Sequence, residues 1–218
     1  MLVDDAPVEK PGTAVRDEAA IRVRGEDRRF VSRGGEKLAG ALEDLGLDPA
    51  GRRCLDLGAS TGGFTDCLLQ AGAARVAAVD VGYGQLHPSL RDDPRVVVQE
   101  RTNARHLEAL PFAVDLVTVD VSFISATKLL PRLRQLAPGA ELLVLVKPQF
   151  EVGREQVGKG GVVRDDALRR EAAARVEAAA AALGWERRGE AESRLPGPKG
   201  NREIFLWLGP ERSGPAGR

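Results

Sequence analysis

Apolar runs typical of buried strands alternate along the chain with segments predicted as helices. Five runs are predicted as strands, and they occupy residues 53–58, 75–82, 96–100, 112–122 and 141–148. The last of them, ELLVLV, is apolar on both faces, which suits a parallel strand covered on both sides. Four helices are predicted around the strands, over residues 36–45, 65–71, 126–136 and 167–183. This alternation predicts a doubly wound α/β sheet.

The two ends of the chain depart from this alternation. Residues 185–195 and 202–209 are predicted as a final antiparallel pair of strands, joined by a loop rich in proline and glycine. Residues 1–25 hold only two short strand-like pieces, which are too little to fold alone. The predicted organisation is one domain with two appendages: a segment over 1–26, the domain over 27–209 and a flexible tail over 210–218.

Composition and charge exclude several classes of protein. The chain has 218 residues, and its 43% hydrophobic and 29% charged residues are in the range of a soluble globular domain. No apolar run reaches the roughly 18 to 20 residues of a membrane helix, and the acidic N-terminus is unlike a signal peptide, so we expect a cytoplasmic protein. Two cysteines and two histidines are too few for a disulfide framework or a histidine-based metal centre, and no metal is expected. A formal net charge of zero indicates no long-range attraction to nucleic acid.

The loop after the first predicted strand suits a nucleoside cofactor. The strand ends in Asp56 and Gly58, and Gly62 and Gly63 precede the next helix. Glycines at this corner let the backbone approach a ligand where a Cβ would collide. Asp80 ends the second strand, where its carboxylate can accept hydrogen bonds from both hydroxyls of a ribose. The G-x-G-x-x-G pattern is absent, and an acid at the end of strand one suits the cationic amino acid part of S-adenosylmethionine. We therefore expect that cofactor, against the alternative of an ordinary strand–loop–helix corner.

Two later strand ends carry residues suited to proton transfer. The fourth strand ends in Asp120, and the fifth ends in Lys147 after the apolar run LLVLV. One interpretation of Lys147 is a stem that packs on apolar surface while its ammonium reaches water. Its position at the ligand edge of the sheet favours the other, an amine whose charged form is disfavoured by burial and a nearby cation.

Eight stretches between residues 30 and 208 match one known family in order. They are VSRGGEKL at 31–38, CLDLGASTGGFTDCLLQ at 54–70, AVDVGYGQL at 78–86, ERTNAR at 100–105, DVSFIS at 120–125, KPQFEVGR at 147–154, GKGGVVRD at 158–165 and GNREIFLWL at 200–208. The sequence thereby resembles the TlyA family, FtsJ-like RNA 2′-O-methyltransferases once labelled haemolysins. The resemblance implies a Rossmann-like class I methyltransferase fold, with a mostly parallel seven-stranded sheet, an antiparallel final strand and helices on both faces.

The resemblance also implies a catalytic tetrad of Lys37, Asp120, Lys147 and Glu203. A ribose 2′-hydroxyl is a poor nucleophile, so a base must take its proton as it attacks the methyl group of the sulfonium. Lys147 is the candidate base, and Lys37 would disfavour a second charge nearby and orient the substrate. Asp120 and Glu203 would position the lysines and the hydroxyl, and no metal would be required.

By the same resemblance, residues from four loops would hold S-adenosylmethionine. Asp80 would bind the ribose, and Thr102 and Asn103 would lie near the adenine. For Asn103, capping of its own loop is nearly as good an interpretation. The complete set is Asp56, Gly58, Ser60, Thr61, Gly62, Gly63, Phe64, Asp80, Val81, Thr102, Asn103 and Asp120.

The long glycine-rich connection after the fifth strand suits RNA binding, since connections of this length are often functional. Basic residues from this connection and from a mildly basic N-terminal cluster are candidates for phosphate contacts. A solvated loop or face remains the alternative for each of them. The candidates are Arg22, Arg24, Arg33, Arg154, Lys159 and Arg164.

The predicted function is 2′-O-methylation of cytidine in 16S and/or 23S ribosomal RNA. Full-length members of the family carry an N-terminal S4 RNA-binding domain, and residues 2–25 resemble only its closing strands. We therefore interpret residues 1–26 as a truncated remnant of that domain and a linker. Ribosomal RNA or ribosomal subunits are the expected partners, and the oligomeric state is left open between a monomer and a weak dimer.

Three alternatives to this function are weighed against the residues. A membrane-active haemolysin is disfavoured because the sequence has no apolar span and no basic amphipathic helix. A non-catalytic RNA-binding or ribosome-assembly factor is disfavoured by the complete tetrad. A methyltransferase acting on protein or on small molecules is disfavoured by DVSF at 120–123, where enzymes with amino-nitrogen targets typically have an NPPY-like motif.

Overall fold

A small antiparallel sheet opens the structure, a computed structural model that describes residues 2–4, 6–8, 13–22 and 29–211. Strand β1 (Leu2–Val3) pairs with both β2 (Ala6–Pro7) and β3 (Ile21–Arg22). Both strand-like pieces predicted near the N-terminus therefore contain strands. The predicted domain boundary after residue 26 lies outside the described residues and stays a prediction, as does the S4 remnant.

The main sheet has seven strands, which match the seven predicted from the sequence. Six helices accompany it, one before the first of these strands and five between or after them. The strands are β4 (Arg53–Leu57), β5 (Arg75–Val79), β6 (Val96–Gln99), β7 (Leu116–Val119), β8 (Glu141–Val146), β9 (Trp185–Glu192) and β10 (Ile204–Pro210). The helices are α1 (Arg33–Leu45), α2 (Gly63–Gln70), α3 (Pro88–Arg91), α4 (Leu130–Leu136), α5 (Pro148–Glu151) and α6 (Asp166–Ala181).

The strand order across the main sheet is β6-β5-β4-β7-β8-β10-β9. The first five strands in this order are parallel, and β10 runs antiparallel to both β8 and β9. The order reverses between β4 and β7, which is where open α/β sheets bind their ligands. The predicted fold, a Rossmann-like sheet with an antiparallel final strand, is therefore confirmed.

Strand β8 explains how helices come to cover both faces of this sheet. Its residues alternate between two buried apolar clusters: Leu142, Val144 and Val146 belong to one, and Leu143 and Leu145 to the other. The first cluster includes residues of α4 and α6, and the second includes residues of α1 and α2. Each leucine or valine buried in this way contributes roughly 1.5–3 kcal/mol relative to exposure, so an uninterrupted apolar run is stable only in a sheet covered on both sides.

The helices differ from their predicted bounds where proline or glycine controls the start. The predicted helix over 126–136 is divided into a 3₁₀ turn, Ala126–Lys128, and α4, because Pro131 has no N–H and suits only a first turn. Helix α2 begins two residues earlier than predicted, directly after Gly62 in a left-handed conformation. The short helices α3 and α5 were not predicted.

The C-terminal end of the domain also differs from its prediction. Strand β10 includes Pro210, which had been assigned to the tail. Pro210 pairs with Trp185 at the end of the sheet, and its carbonyl oxygen accepts a hydrogen bond from Arg188 at 2.7 Å. Residues 212–218 lie outside the described residues, and a flexible tail there stays a prediction.

The two cysteines are small buried side chains, as predicted. Cys54 lies in β4 and Cys67 in α2, and both are free thiols. Burial raises the pKa of each thiol to about 12, which disfavours the reactive thiolate. None of the helices in the described part of the chain has the length and apolarity that crossing a bilayer requires.

Candidate active site

Two connected cavities lie at the carboxyl ends of the parallel strands. The larger has a volume of about 680 Å³, and the smaller has about 320 Å³. The larger extends toward α1 and the loop before β10, and the smaller extends along the ends of β5 and β6. Residues that line both cavities are Gly58, Ser60, Asp120, Ser122 and Phe123. Because these shared residues follow β4 and β7, the junction of the cavities lies where the strand order reverses.

The turn after β4 requires glycine at its first position. Gly58 has a φ of 86°, and a Cβ built there would lie 2.5 Å from the backbone oxygen of Asp120. Real Cβ atoms do not approach an oxygen so closely, and the positive φ adds a further penalty for other residues. Glycine thus lets the turn after β4 pack directly against the end of β7, where the two cavities meet.

Asp80, at the end of β5, is connected to the turn after β4 by a hydrogen bond. Its two carboxylate oxygens accept hydrogen bonds from the backbone N–H groups of Ser60 and Gly82, at 2.8 and 2.7 Å. The side chain lines the smaller cavity together with Val81, Thr102 and Asn103, three further residues that the family resemblance assigns to the cofactor, and this role stays a prediction. Each carboxylate oxygen has lone pairs to spare, so Asp80 can still accept from a ribose hydroxyl.

Asn103 caps its own loop, which was the alternative to its predicted contact with the adenine. Its side-chain oxygen accepts a hydrogen bond from the N–H of Arg105 at 3.0 Å and so begins the 3₁₀ turn Ala104–His106. Asn103 nevertheless lines the smaller cavity. Thr61, Gly63 and Phe64 line the larger cavity, whereas Gly62 lines neither.

Asp56 lies beneath the turn after β4 and does not line either cavity. Its side chain is fully buried, and its oxygens accept hydrogen bonds from the hydroxyls of Thr65 at 2.7 Å and Thr118 at 3.1 Å. This differs from the predicted direct contact with the cofactor, because the carboxylate is turned toward α2 and β7. Asp56 therefore supports the turn from below.

We expect the stability of the protein to decrease between about pH 4 and pH 7 because of Asp56. Burial raises the pKa of this carboxyl from 3.8 to about 7, and the charge of Asp120 raises it further against the hydrogen bonds from Thr65 and Thr118. A raised native pKa means that the stabilisation is complete below the unfolded value and is lost as pH rises through the native one. At about 1.4 kcal/mol per pKa unit, the loss is at most about 4 kcal/mol.

Urea unfolding at pH 4.5 and pH 7.5 checks this expectation, with Asp56→Asn as the comparison. Asparagine does not titrate, so the free energy of unfolding of the variant should change less between the two pH values than that of the wild type. Equal changes in both proteins would contradict the assignment to Asp56.

The four residues of the predicted tetrad all line the larger cavity, where they form two pairs. Lys147 Nζ lies 2.6 Å from Asp120 Oδ1 and donates a hydrogen bond to the Ser122 hydroxyl at 2.9 Å. Lys37 Nζ lies 2.5 Å from Glu203 Oε2. Lys37 and Glu203 are buried. Each lysine therefore has a carboxylate partner.

The topology explains why these four residues meet. Asp120 follows β7 and Lys147 follows β8, and parallel neighbours end at the same edge of a sheet. Glu203 directly precedes β10, which runs in the opposite direction, so the start of this strand lies at that edge. Lys37 lies in the second turn of α1. Helix α1 packs against α2 on one face of the main sheet.

Two aromatic residues at the larger cavity were not singled out from the sequence. Phe123 is 93% exposed and has a φ of 66°, and its ring centroid lies 5.4 Å from that of Phe150. A left-handed backbone at a non-glycine residue costs roughly 1–3 kcal/mol and tends to occur at functional sites. Phe123 lies in the stretch DVSFIS and Phe150 lies in KPQFEVGR, but no pattern in either stretch predicts an exposed phenylalanine with a strained backbone.

Several polar residues of this cavity were also missed, among them Ser122 and Gln149. Ser122 accepts the hydrogen bond from Lys147. Gln149 lines the cavity, and its side-chain oxygen is buried and has no hydrogen-bond partner among the described residues. Each of the two lies two positions after a predicted catalytic residue, at the end of an apolar strand. This position is the sequence feature that could have identified them as site residues.

The candidate RNA-binding residues are only partly gathered at this site. Arg33 is exposed and lines the larger cavity. Arg154, Lys159 and Arg164 are exposed on the connection after α5, which Asn201 holds through hydrogen bonds to Gly161 and Val163 at 2.8 and 2.9 Å. The side chain of Arg22 and all of Arg24 lie outside the described residues. Within the described ranges, no three His, Cys, Asp or Glu side chains are grouped so that they could hold a metal ion.

Comparisons with known proteins point to one family. The FtsJ-like methyltransferase family matches residues 30–210. The chain is 57% identical over 210 residues to the 16S/23S rRNA (cytidine-2′-O)-methyltransferase TlyA of Mycobacterium tuberculosis, covering 94% of this chain and 78% of that protein. Among solved structures, a candidate hemolysin from Streptococcus thermophilus is 41% identical, with a TM-score of 0.83 over 96% of this chain and 76% of that one. Fibrillarin of Aeropyrum pernix, solved with bound S-adenosyl-L-methionine, shares the fold at 17% identity, with a TM-score of 0.55 over 80% and 76% of the two chains.

Proposed function

Because the chain belongs to the FtsJ-like methyltransferase family, we propose that it methylates the 2′-hydroxyl of cytidine in 16S and/or 23S ribosomal RNA, using S-adenosylmethionine. The observation that carries this proposal is the pair of lysine–carboxylate contacts, Lys147–Asp120 and Lys37–Glu203, facing one cavity beside the turn at Gly58. The relative that is 57% identical is named for this reaction. A ribosomal substrate implies that the enzyme acts in the cytoplasm.

The turn after β4 and the smaller cavity fit S-adenosylmethionine. Gly58 leaves no side chain between this turn and the end of β7, and Asp80 supplies an acceptor for ribose hydroxyls at the end of β5. Thr102 and Asn103 border the part of the cavity that would hold the adenine. Asp120, at the junction of the cavities, would hold the cationic amino acid part, a role for which Asp56 is too deeply buried. When bound, this cofactor supplies a methyl group activated by a sulfonium.

The residues of the larger cavity would prepare the ribose hydroxyl. The Nζ of Lys147, in its neutral form, would accept the proton of the 2′-hydroxyl. Asp120 and Ser122 fix the position of that nitrogen at 2.6 and 2.9 Å. Lys37, held by Glu203, would donate a hydrogen bond that orients the nucleotide. Alignment of reacting groups by fixed side chains of this kind can account for roughly 7 to 11 kcal/mol of a barrier.

The surroundings of the larger cavity support an RNA acceptor. An exposed phenylalanine ring beside the catalytic lysine offers a stacking surface for an unstacked base, which is how proteins read single-stranded RNA. Arg33, Arg154, Lys159 and Arg164 lie on the lining or on the adjoining connection, where their guanidinium and ammonium groups would contact phosphates. Ribosomal RNA or a ribosomal subunit is therefore the proposed partner.

Methyl transfer from labelled S-adenosylmethionine to ribosomal subunits tests the proposal. Subunits from a strain without the enzyme should incorporate label, and the modified position should resist alkaline cleavage and map to a cytidine. Label that appears on a base, or no incorporation into either subunit, would overturn the proposed function.

We expect Phe123→Ala to weaken the use of RNA far more than the binding of the cofactor, although Phe123 borders both cavities. Stacking of a base on an aromatic side chain is worth about 1–3 kcal/mol, which corresponds to roughly 5- to 150-fold in kcat/KM for RNA. The check is steady-state kinetics with RNA varied, together with cofactor titration by calorimetry. Phe123→Trp, which keeps a stacking surface, serves as the matched control. A parallel loss in cofactor affinity would contradict the assignment.

A further inference from the structure

Glu151 joins the two segments that carry Asp120 and Lys147. It is the last residue of α5, four positions after Lys147, and it is buried. Its carboxylate accepts hydrogen bonds from the Ser125 hydroxyl at 2.5 Å and from the backbone N–H of Ala126 at 2.7 Å. Ser125 and Ala126 follow Asp120 in the chain. One buried carboxylate therefore connects the loop after β7 to the helix after β8.

The loop that Glu151 holds contains the strained backbone of Phe123. A residue in this conformation persists only where the surrounding structure fixes it. The ring of Phe123 is 93% exposed, so its own packing contributes little. The loop is instead fixed at both ends, by Asp120 against Lys147 on one side and by Ser125 and Ala126 against Glu151 on the other.

A third element, α6, helps to hold Glu151 in place. Arg175, in α6, donates a hydrogen bond to the backbone oxygen of Glu151 at 2.6 Å. Helix α5 also carries Phe150, whose ring contacts that of Phe123. Burial raises the pKa of Glu151.

We propose that Glu151 is a positioning residue for the acceptor half of the site: it holds the turn at residues 122–124 so that the Phe123 ring and the Ser122 hydroxyl meet the RNA nucleotide. This inference rests on the proposed RNA methyltransferase function. It assigns Glu151 no contact with the reacting atoms and no part in binding the cofactor. The turn at Gly58 and the part of the smaller cavity lined by Asp80, Thr102 and Asn103 are formed by other elements, so its loss should disturb only the wall that residues 120–124 contribute to that cavity.

Binding and kinetics of three variants test this role. We expect Glu151→Ala to raise the Kd for ribosomal subunits, measured without cofactor, and to lower kcat/KM for RNA by at least about tenfold. The Kd for S-adenosylmethionine should rise by a clearly smaller factor than the Kd for ribosomal subunits, because only one wall of the smaller cavity belongs to the loop that Glu151 holds. Glu151→Gln, which can accept from Ala126 and donate to Ser125, should restore RNA binding to within about threefold of the wild type. Glu155→Ala, an exposed carboxylate on the same connection, is the matched control and should behave as the wild type.

A double-mutant cycle separates positioning from a general structural effect. If Glu151 acts through Phe123, then Glu151→Ala should cause little further loss of RNA affinity in a Phe123→Ala background. Additive losses, or a drop in RNA and cofactor affinity in proportion to a lower midpoint of urea unfolding, would overturn the proposal. Should Glu151→Ala not fold, Ser125→Ala removes one of the two hydrogen bonds and should show a smaller loss of the same kind.

The two proposals fail in distinguishable ways. A wild-type protein that methylates no RNA would sink the proposed function. A wild-type protein that methylates RNA, beside a Glu151→Ala variant with unchanged RNA affinity and kinetics, would sink only the role of Glu151.

Discussion

Replacing Lys147 with alanine should reduce kcat for methyl transfer by about 10²- to 10⁴-fold, the usual contribution of a positioned general base. The variant loses the only amine that contacts both Asp120 and Ser122 in the described structure. Cofactor affinity should remain near that of the wild type, because the smaller cavity does not include Lys147.

Lys147→Arg separates the positive charge of the lysine from its ability to accept and release a proton. An arginine keeps the positive charge beside Asp120, but its guanidinium does not give up a proton at accessible pH. The Arg variant should therefore be about as inactive as the Ala variant in single-turnover assays with ribosomal subunits. Lys128→Ala, at an exposed lysine outside the site, controls for loss of charge. Substantial activity in Lys147→Arg would show that Lys147 orients the substrate and is not the base.

Gly58→Ala should weaken cofactor binding and also destabilise the fold. The new Cβ would lie 2.5 Å from the Asp120 backbone oxygen, so the turn or the end of β7 must move. The left-handed φ and the collision together should lower the free energy of unfolding by roughly 2 to 5 kcal/mol. Because the displaced backbone borders both cavities, we expect the Kd for S-adenosylmethionine to rise by at least about tenfold.

Gly51→Ala isolates the collision from the backbone conformation. Gly51 also has a positive φ, 70°, but no atom lies within 4 Å of a Cβ built there. Its variant should show only the cost of the conformation, about 1–2 kcal/mol, with normal cofactor affinity. Calorimetric titration and urea unfolding of both variants provide the comparison. A Gly58→Ala protein that binds cofactor as the wild type does would refute the need for close approach at this turn.

The fold could be predicted from the sequence because the apolar pattern of its strands is compatible with few arrangements of the sheet and helices. Strand β8 is apolar on both faces, and only a sheet covered by helices on both sides buries such a run. The same logic predicted that Asp120 and Lys147 would lie at the ligand edge of the sheet, since parallel strands end at one edge, whereas their joint role in a tetrad was implied only by family resemblance. The pairing of Lys37 with Glu203 was implied only by family resemblance, because it depends on β10 entering the sheet beside β8 in reverse.

Other features of the site depend on details of the backbone that leave no periodic signal. The direction of the Asp56 side chain is set by Thr65 and Thr118, one of which lies 62 residues away. The positive φ of Phe123 belongs to a residue type that seldom adopts it. Glu151 follows a predicted strand in a helix of only four residues, and its partners lie 25 and 26 positions earlier in the chain.

The contact between Lys37 and Glu203 has a consequence for folding. These residues are 166 positions apart, and the loop between them contains six of the seven strands of the main sheet. Closing so long a loop costs conformational entropy before the intervening strands supply compensating contacts, so we expect this contact to be among the last to form. A chain still emerging from the ribosome can complete the turn at Gly58 and pair Asp120 with Lys147 before Glu203 has been synthesised. For that interval it would have a cofactor cavity with a single lysine–carboxylate pair, so the ability to hold the acceptor nucleotide would arise only when the last strand docks.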